Sequence, residues 1–200
     1  DVNGDGVDDI VIGARFQDGG PAIYTGKTYV VFGSTSGFDA DMALNSLNGV
    51  NGFALIGGAG DDRSGRSVSG AGDVNGDGVE DIVIGAPRNG DGGRYAGKTY
   101  VVFGSTSGFD ADMALNSLNG VNGFALIGED DEDQSGFSVS GVGDVNGDGL
   151  DDFVIGAPGN DDGLGDNAGK TYVVFGSTSG LDTNIELSSL NGFNGFALIG

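Results

Sequence analysis

Residues 26–57 of this 200-residue chain, Gly26 through Gly57, recur without a change at 97–128, and a looser version occupies 169–200. A period of about seventy residues makes the repeat, rather than the whole chain, the unit that must fold. The sequence divides as 1–57, 58–128 and 129–200, with the first unit short at its start. This arrangement reads as a window of a longer repeat array.

An acidic nonapeptide marks each unit: Asp1-Val-Asn-Gly-Asp-Gly-Val-Asp-Asp9, Asp73-Val-Asn-Gly-Asp-Gly-Val-Glu-Asp81 and Asp144-Val-Asn-Gly-Asp-Gly-Leu-Asp-Asp152. Side-chain oxygens recur at positions 1, 3, 5 and 9. These are Asp1, Asn3, Asp5 and Asp9; Asp73, Asn75, Asp77 and Asp81; and Asp144, Asn146, Asp148 and Asp152. Ca²⁺ takes six to eight oxygen ligands at about 2.3–2.6 Å, and the glycines at positions 4 and 6 let a short loop wrap it. The same residues also make ordinary turns with no ion. Recurrence in one register across three units favours the cation. An EF-hand or dockerin-like loop needs an acid at position 12 and a helix on its exit side. Here position 12 is Ile12, Ile84 and Ile155, inside an apolar run.

Forty-three glycines and short β-branched and aromatic runs bounded by Gly, Asp and Pro indicate an all-β fold. Starting the unit at Phe53 gives four strands: 53–56, 66–72, the run after Asp81, and 98–104. They form an antiparallel four-stranded meander. The run at 66–72 is built from Ser, Gly and Ala, whereas 82–84 and 100–103 are bulky. Strands crowd near the axis of a β-propeller, so the small-residue strand belongs innermost and the acidic loop joins the first and second strands of each blade. A stacked β-solenoid also satisfies the strand-face pattern.

Composition narrows the function classes. Thirty acidic residues against eight basic ones give a formal charge of −22, which excludes the clustered Lys and Arg that nucleic acid requires. Cysteine and histidine are absent, which removes thiol nucleophiles, His-based triads and Cys/His zinc sites. No run approaches 18 apolar residues, so no membrane span is expected. The clusters 129–133 and Asp161-Asp162 with Asp166 read as solvated loop charge, and Lys27, Lys98 and Lys170 as structural or edge-protecting.

The stretch Ser67-Val-Ser-Gly-Ala-Gly-Asp-Val-Asn-Gly-Asp-Gly-Val-Glu-Asp-Ile-Val-Ile-Gly-Ala-Pro87 resembles an FG-GAP repeat, the blade unit of the integrin α-subunit propeller. Gly85-Ala86-Pro87 and Gly156-Ala157-Pro158 match the second half of the motif; Gly13-Ala14-Arg15 departs from it, and Ser64-Gly65 and Ser135-Gly136 stand near its Phe-Gly. The resemblance implies a seven-bladed propeller, an extracellular or cell-surface location, and Ca²⁺ in the loops. It adds the main-chain carbonyls of Val7, Val79 and Leu150 to the ligand set. The expectation is a non-enzymatic, calcium-stabilised extracellular scaffold or adhesion protein, a surface fibre or coat, whose partners are further copies or repeats of itself. The alternatives are the propeller of a secreted enzyme whose catalytic domain lies elsewhere, and a module that binds protein or glycan through the loops at 15–25, 87–96 and 158–168.

Overall fold

A computed structural model describes residues 1–18, 22–161, 168–179 and 182–200. In chain order the strands are β1 (Ile10–Ala14), β2 (Lys27–Val31), β3 (Gly52–Ile56), β4 (Ser67–Gly72), β5 (Asp81–Ala86), β6 (Lys98–Val102), β7 (Asp112–Ala114), β8 (Gly123–Ile127), β9 (Ser138–Gly143), β10 (Asp152–Ala157), β11 (Lys170–Val174), β12 (Asn184–Glu186) and β13 (Gly195–Ile199). They form three sheets, ordered β1-β2-β3-β7, β4-β5-β6-β8-β12 and β9-β10-β11-β13. Within each sheet the first connections are antiparallel neighbours, the meander expected of propeller blades. The first sheet has no described strand ahead of β1, so it lacks the inner strand that β4 and β9 supply to the others.

Counting the strands of a unit from Phe53 puts 53–56 first, and here the structure differs: β3 pairs with β2 and closes the first sheet, Leu55 opposite Thr28. A five-residue apolar run carries no information about which neighbour it joins, and a hairpin partner 20 residues upstream wins over a new sheet.

The β7 and β12 strands add a feature that alternation does not predict. Residues 112–114 leave the second sheet and pair in parallel with β3 of the first, Leu55 opposite Met113, with the Ala54 N–H donating to the Ala111 carbonyl at 2.9 Å. Residues 184–186 do the same to β8, Leu126 opposite Ile185, with Ala125 N–H donating to Thr183. Each unit therefore extends the outer edge of the sheet before it.

Apolar side chains gather between sheets. One cluster joins Val30, Phe53 and Leu55 to Ile82, Ile84, Tyr100 and Leu115; a second joins Val83, Val101, Phe124 and Leu126 to Phe153, Ile155, Tyr172 and Leu187. The inner strands approach closely because they are small: Val139 N–H donates to the Ser67 hydroxyl at 3.1 Å, and a Cβ at Gly141 would press on the Gly70 carbonyl. At Gly85 a Cβ would overlap the Gly136 carbonyl of the third sheet, as it would at Gly13 against Gly65. Gly85→Ala is therefore expected to cost about 1–3 kcal/mol by forcing two sheets apart. Urea unfolding with an unchanged midpoint would contradict this packing.

Candidate metal centre

Each nonapeptide bridges two strands or leads into one: 73–81 joins β4 to β5, 144–152 joins β9 to β10, and 1–9 leads into β1. The backbone turns at the glycines, with φ of 69° and 86° at Gly4 and Gly6, 78° and 87° at Gly76 and Gly78, and 78° and 91° at Gly147 and Gly149. Left-handed geometry at both places explains why the motif uses glycine there.

The position-1 carboxylate organises the loop. Asp73 Oδ1 accepts the N–H of Gly76 at 2.7 Å and of Asp77 at 3.1 Å, while Oδ2 accepts Gly78 N–H at 2.8 Å. Asn75 Oδ1 accepts Asp77 N–H, and Asp77 Oδ1 accepts Val79 N–H. The third loop repeats this through Asp144, Asn146 and Asp148. In the first, Asp1 takes Asp5 and Gly6 N–H, Asn3 takes Asp5, and Asp5 takes Val7. These donors hold the Asp144 carboxyl below the usual carboxylate range, led by Gly149 N–H. Oxygens fixed by backbone donors keep further lone pairs free, so the donor set is hard, anionic and suited to a cation such as Ca²⁺.

Position 9 has a second task. Asp81 is buried; its Oδ2 accepts Val74 N–H at 3.0 Å and its Oδ1 accepts Gly104 N–H at 2.9 Å, which ties the loop to the end of β6. Asp9 makes the same clasp on Val2 and Gly33, and Asp152 on Val145 and Gly176. Asp73, Asp77 and Asp81 do not draw together to within 4.8 Å; among the described residues the acidic set at that spacing is Glu129, Asp130 and Asp133. Spacing alone gave position 9 a ligand's role and missed the clasp, because Gly104 lies 23 residues away in sequence.

The cluster at 129–133 is not solvated charge throughout. Asp133 is buried and accepts Asp130 N–H and the Asn160 amide, as Asp62 accepts Ala59 N–H and the Asn89 amide. Burial raises both carboxyls. Glu129 pairs with Lys170 at 2.5 Å. The Lys98 ammonium meets Asp91 at 2.7 Å, and both lysines lie on interior strands over Tyr100 and Tyr172. Their role is structural rather than edge-protecting. Asp162 and Asp166, with residues 19–21 and 162–167 of the variable loops, lie outside the described residues.

Residues 64–102 and 135–174 match the FG-GAP repeat family. The chain is 33% identical over 159 residues to integrin alpha pat-2 of Caenorhabditis elegans, which is 78% of this chain and 12% of that protein. It is 29% identical over 157 residues to integrin alpha-4 of Xenopus laevis, covering 78% of this chain and 13% of the relative. Against phosphatidylinositol-glycan-specific phospholipase D of Bos taurus it is 32% identical over 162 residues, 79% of this chain and 18% of the enzyme. The chain thus spans less than a fifth of the length of these relatives. No helix among the described residues is long and apolar enough to cross a membrane.

Burial raises Asp81 to about 7, against the opposing Gly104 and Val74 donors. A folded pKa above the unfolded value near 3.8 means that the ionised form destabilises the fold. Asp81 therefore contributes fully below the unfolded pKa, and that contribution is lost as pH rises from about 4 through about 7. Calcium-free protein should lose stability over this window more steeply than Asp81→Asn, which carries no proton to lose. Parallel pH profiles from chemical denaturation would contradict the assignment.

Proposed function

For this FG-GAP repeat protein we propose a non-enzymatic, calcium-stabilised extracellular adhesion or scaffold module whose blades associate with further copies of themselves. One observation carries it: three loops of one sequence fold to one backbone geometry at equivalent ends of three sheets, each with a carboxylate that fixes the loop and another that clasps the neighbouring strand. Asp, Asn, Asp and Asp side chains at positions 1, 3, 5 and 9, with the carbonyls of Val7, Val79 and Leu150, would hold one Ca²⁺ per loop. The ion does no chemistry in this reading. It offsets repulsion among carboxylates that the fold brings to one turn. The similarity to integrin alpha subunits over 78% of the chain supports adhesion and a cell-surface setting.

A second reading makes the chain the propeller part of a secreted enzyme. The 32% identity to the phospholipase D over 79% of the chain favours it, and the catalytic part would then lie outside these residues.

Calorimetry should give three sites with dissociation constants of roughly 10⁻⁴–10⁻³ M. Calcium at 100 times Kd should add about 2.7 kcal/mol per site, seen as a rise in Tm that chelator reverses. Asp77→Ala should remove one site of the three and leave the others. No heat at millimolar calcium, or a Tm indifferent to chelator, would overturn the calcium reading.

A further inference from the structure

The end of the sheets that carries the acidic loops also leaves apolar side chains facing water. In the second sheet β4 runs into 73–81 at that end, and β6, with Val102 opposite Ile82, runs into the connection 103–122 at the same end. Loop and connection enclose a cleft of about 420 Å³ walled by Phe103, Phe109, Met113 and Val121, with Asp77 and Asp110 on its rim. Phe109 stacks on Phe53 with ring centroids 4.1 Å apart, and Phe103 tilts against Phe124, so the aromatic walls are fixed. This middle unit has a neighbour on each side, and its cleft stays open between them.

Val121 is 85% exposed at the tip of a turn that is built rigidly. Asn119 Oδ1 accepts Val121 N–H at 2.9 Å, Asn122 Oδ1 accepts Asn119 N–H at 3.0 Å, and Gly120 N–H donates to the Gly123 carbonyl at 2.9 Å. The turn needs its asparagines and its glycine, and nothing in it needs an apolar residue at 121. The third unit keeps the turn, changes that residue, and still places an apolar one there: Phe193, 94% exposed. Phe175, Ile185 and Phe193 line the cleft of that unit, as Phe32, Met42 and Val50 line the cleft of the first. Exposed apolar residues scattered singly are ordinary; one at the lip of an apolar cleft in every unit, rimmed by polar groups, marks a contact surface.

Charge decides what this surface takes. The nonapeptides hold twelve of the thirty acidic residues, and no Lys or Arg occurs in them or in 33–51, 103–122 and 175–194. The eight basic residues belong to the opposite end of the sheets, where Lys27, Lys98 and Lys170 pair with Ala14, Ala86 and Ala157 and Arg66 bonds to Gly85. Three Ca²⁺ would offset half of those twelve charges, so the sign of the face does not depend on the ion. The same charge repels an anionic membrane surface, and a second copy of this chain, at −22, brings no basic segment.

We propose that this end face binds a basic polypeptide segment of another protein, one apolar side chain entering the cleft beside Val121 while flanking Lys or Arg side chains meet Asp77 and Asp110. The rigid turn and the fixed rings meet part of the ordering cost before the partner arrives. The apolar anchor holds the partner, and the acidic rim speeds its encounter. One cleft per unit gives such a partner several points of attachment on one face. The inference extends the adhesion reading by giving it a partner class, and rests neither on calcium nor on self-association.

The probe is a fluorescein-labelled peptide of alternating Arg and Leu, with two controls in which Ser replaces every Leu or every Arg. Fluorescence anisotropy on the native chain should show binding of the first peptide in calcium and in chelator, and binding of each control weaker by about tenfold or more. Val50→Ser, Val121→Ser and Phe193→Ser combined, all at exposed tips, should weaken binding about tenfold through faster dissociation, whereas Ile23→Ser, exposed at the opposite end, should not. Higher salt should slow association. Equal affinity of the triple variant, or of the peptide without Leu, overturns the proposal. So does self-association in sedimentation, or retention on phosphatidylserine vesicles, that the triple variant abolishes, since either result assigns the face to a different occupant. Loss of peptide binding with the calcium-dependent Tm rise intact counts against this face alone; the reverse counts against the calcium reading alone.

Discussion

The structure depends on sheets that cannot finish themselves. The first and second sheets each have an apolar face and an outer edge, and both are closed by the unit that follows. Val83 and Phe124 of the second sheet are buried by Phe153, Tyr172 and Leu187 of the third. The outer edge of β8 is satisfied by β12. Stability therefore resides in the junctions, as expected of repeat proteins in which neighbour contacts outweigh intrinsic terms. Glycine is abundant because junctions are made backbone to backbone. Ser64, Arg63 and Asp61 N–H donate to Thr25, Tyr24 and Ile23, and Ser135, Gln134 and Glu132 N–H donate to Ala96, Tyr95 and Arg94. Asp61, Arg63, Glu132 and Gln134 hold positive φ to do so, a strain that each ladder offsets.

The acidic loops belong to the same economy of contacts. Asp151 of one loop accepts the N–H of Asp73 in the loop before it, and Glu80 likewise accepts from the main-chain nitrogen of Asp1. A loop is thus held by its own position-1 carboxylate, by the clasp of its position-9 carboxylate on the neighbouring strand, and by the next loop along. Losing the geometry of one loop loosens a junction, which is why a cation bound there would stabilise the fold without taking part in any reaction.

Much of this was legible in the residues. The repeat period, the strands 81–86 and 98–102, the small inner strands and the place of the acidic loops follow from alternation, bulk and spacing. The FG-GAP resemblance followed from Gly-Ala-Pro and the nonapeptide. What was not legible involves partners distant in sequence. The three residues of β7 show no alternation, and nothing local says that they pair 58 residues upstream with Ala54–Ile56. Asp133 sits in a run of five acids that reads as solvent-facing. Its burial depends on Asn160, 27 residues on, and a matching Asp62–Asn89 pair was the available signal. Position 9 read as a ligand because its spacing fits; its clasp on Gly33, Gly104 and Gly176 needed the fold.

The central claim, that junctions and not single sheets protect this fold, is tested most directly by residue-resolved amide hydrogen exchange on the dilute chain. Ala54, Ala125 and Ala197 occupy one position in three identical strands, and the first two donate across a junction to Ala111 and Thr183. The account expects slow exchange at Ala54 and Ala125 and faster exchange at Ala197 in a chain of these 200 residues. Equal protection at all three positions would contradict it.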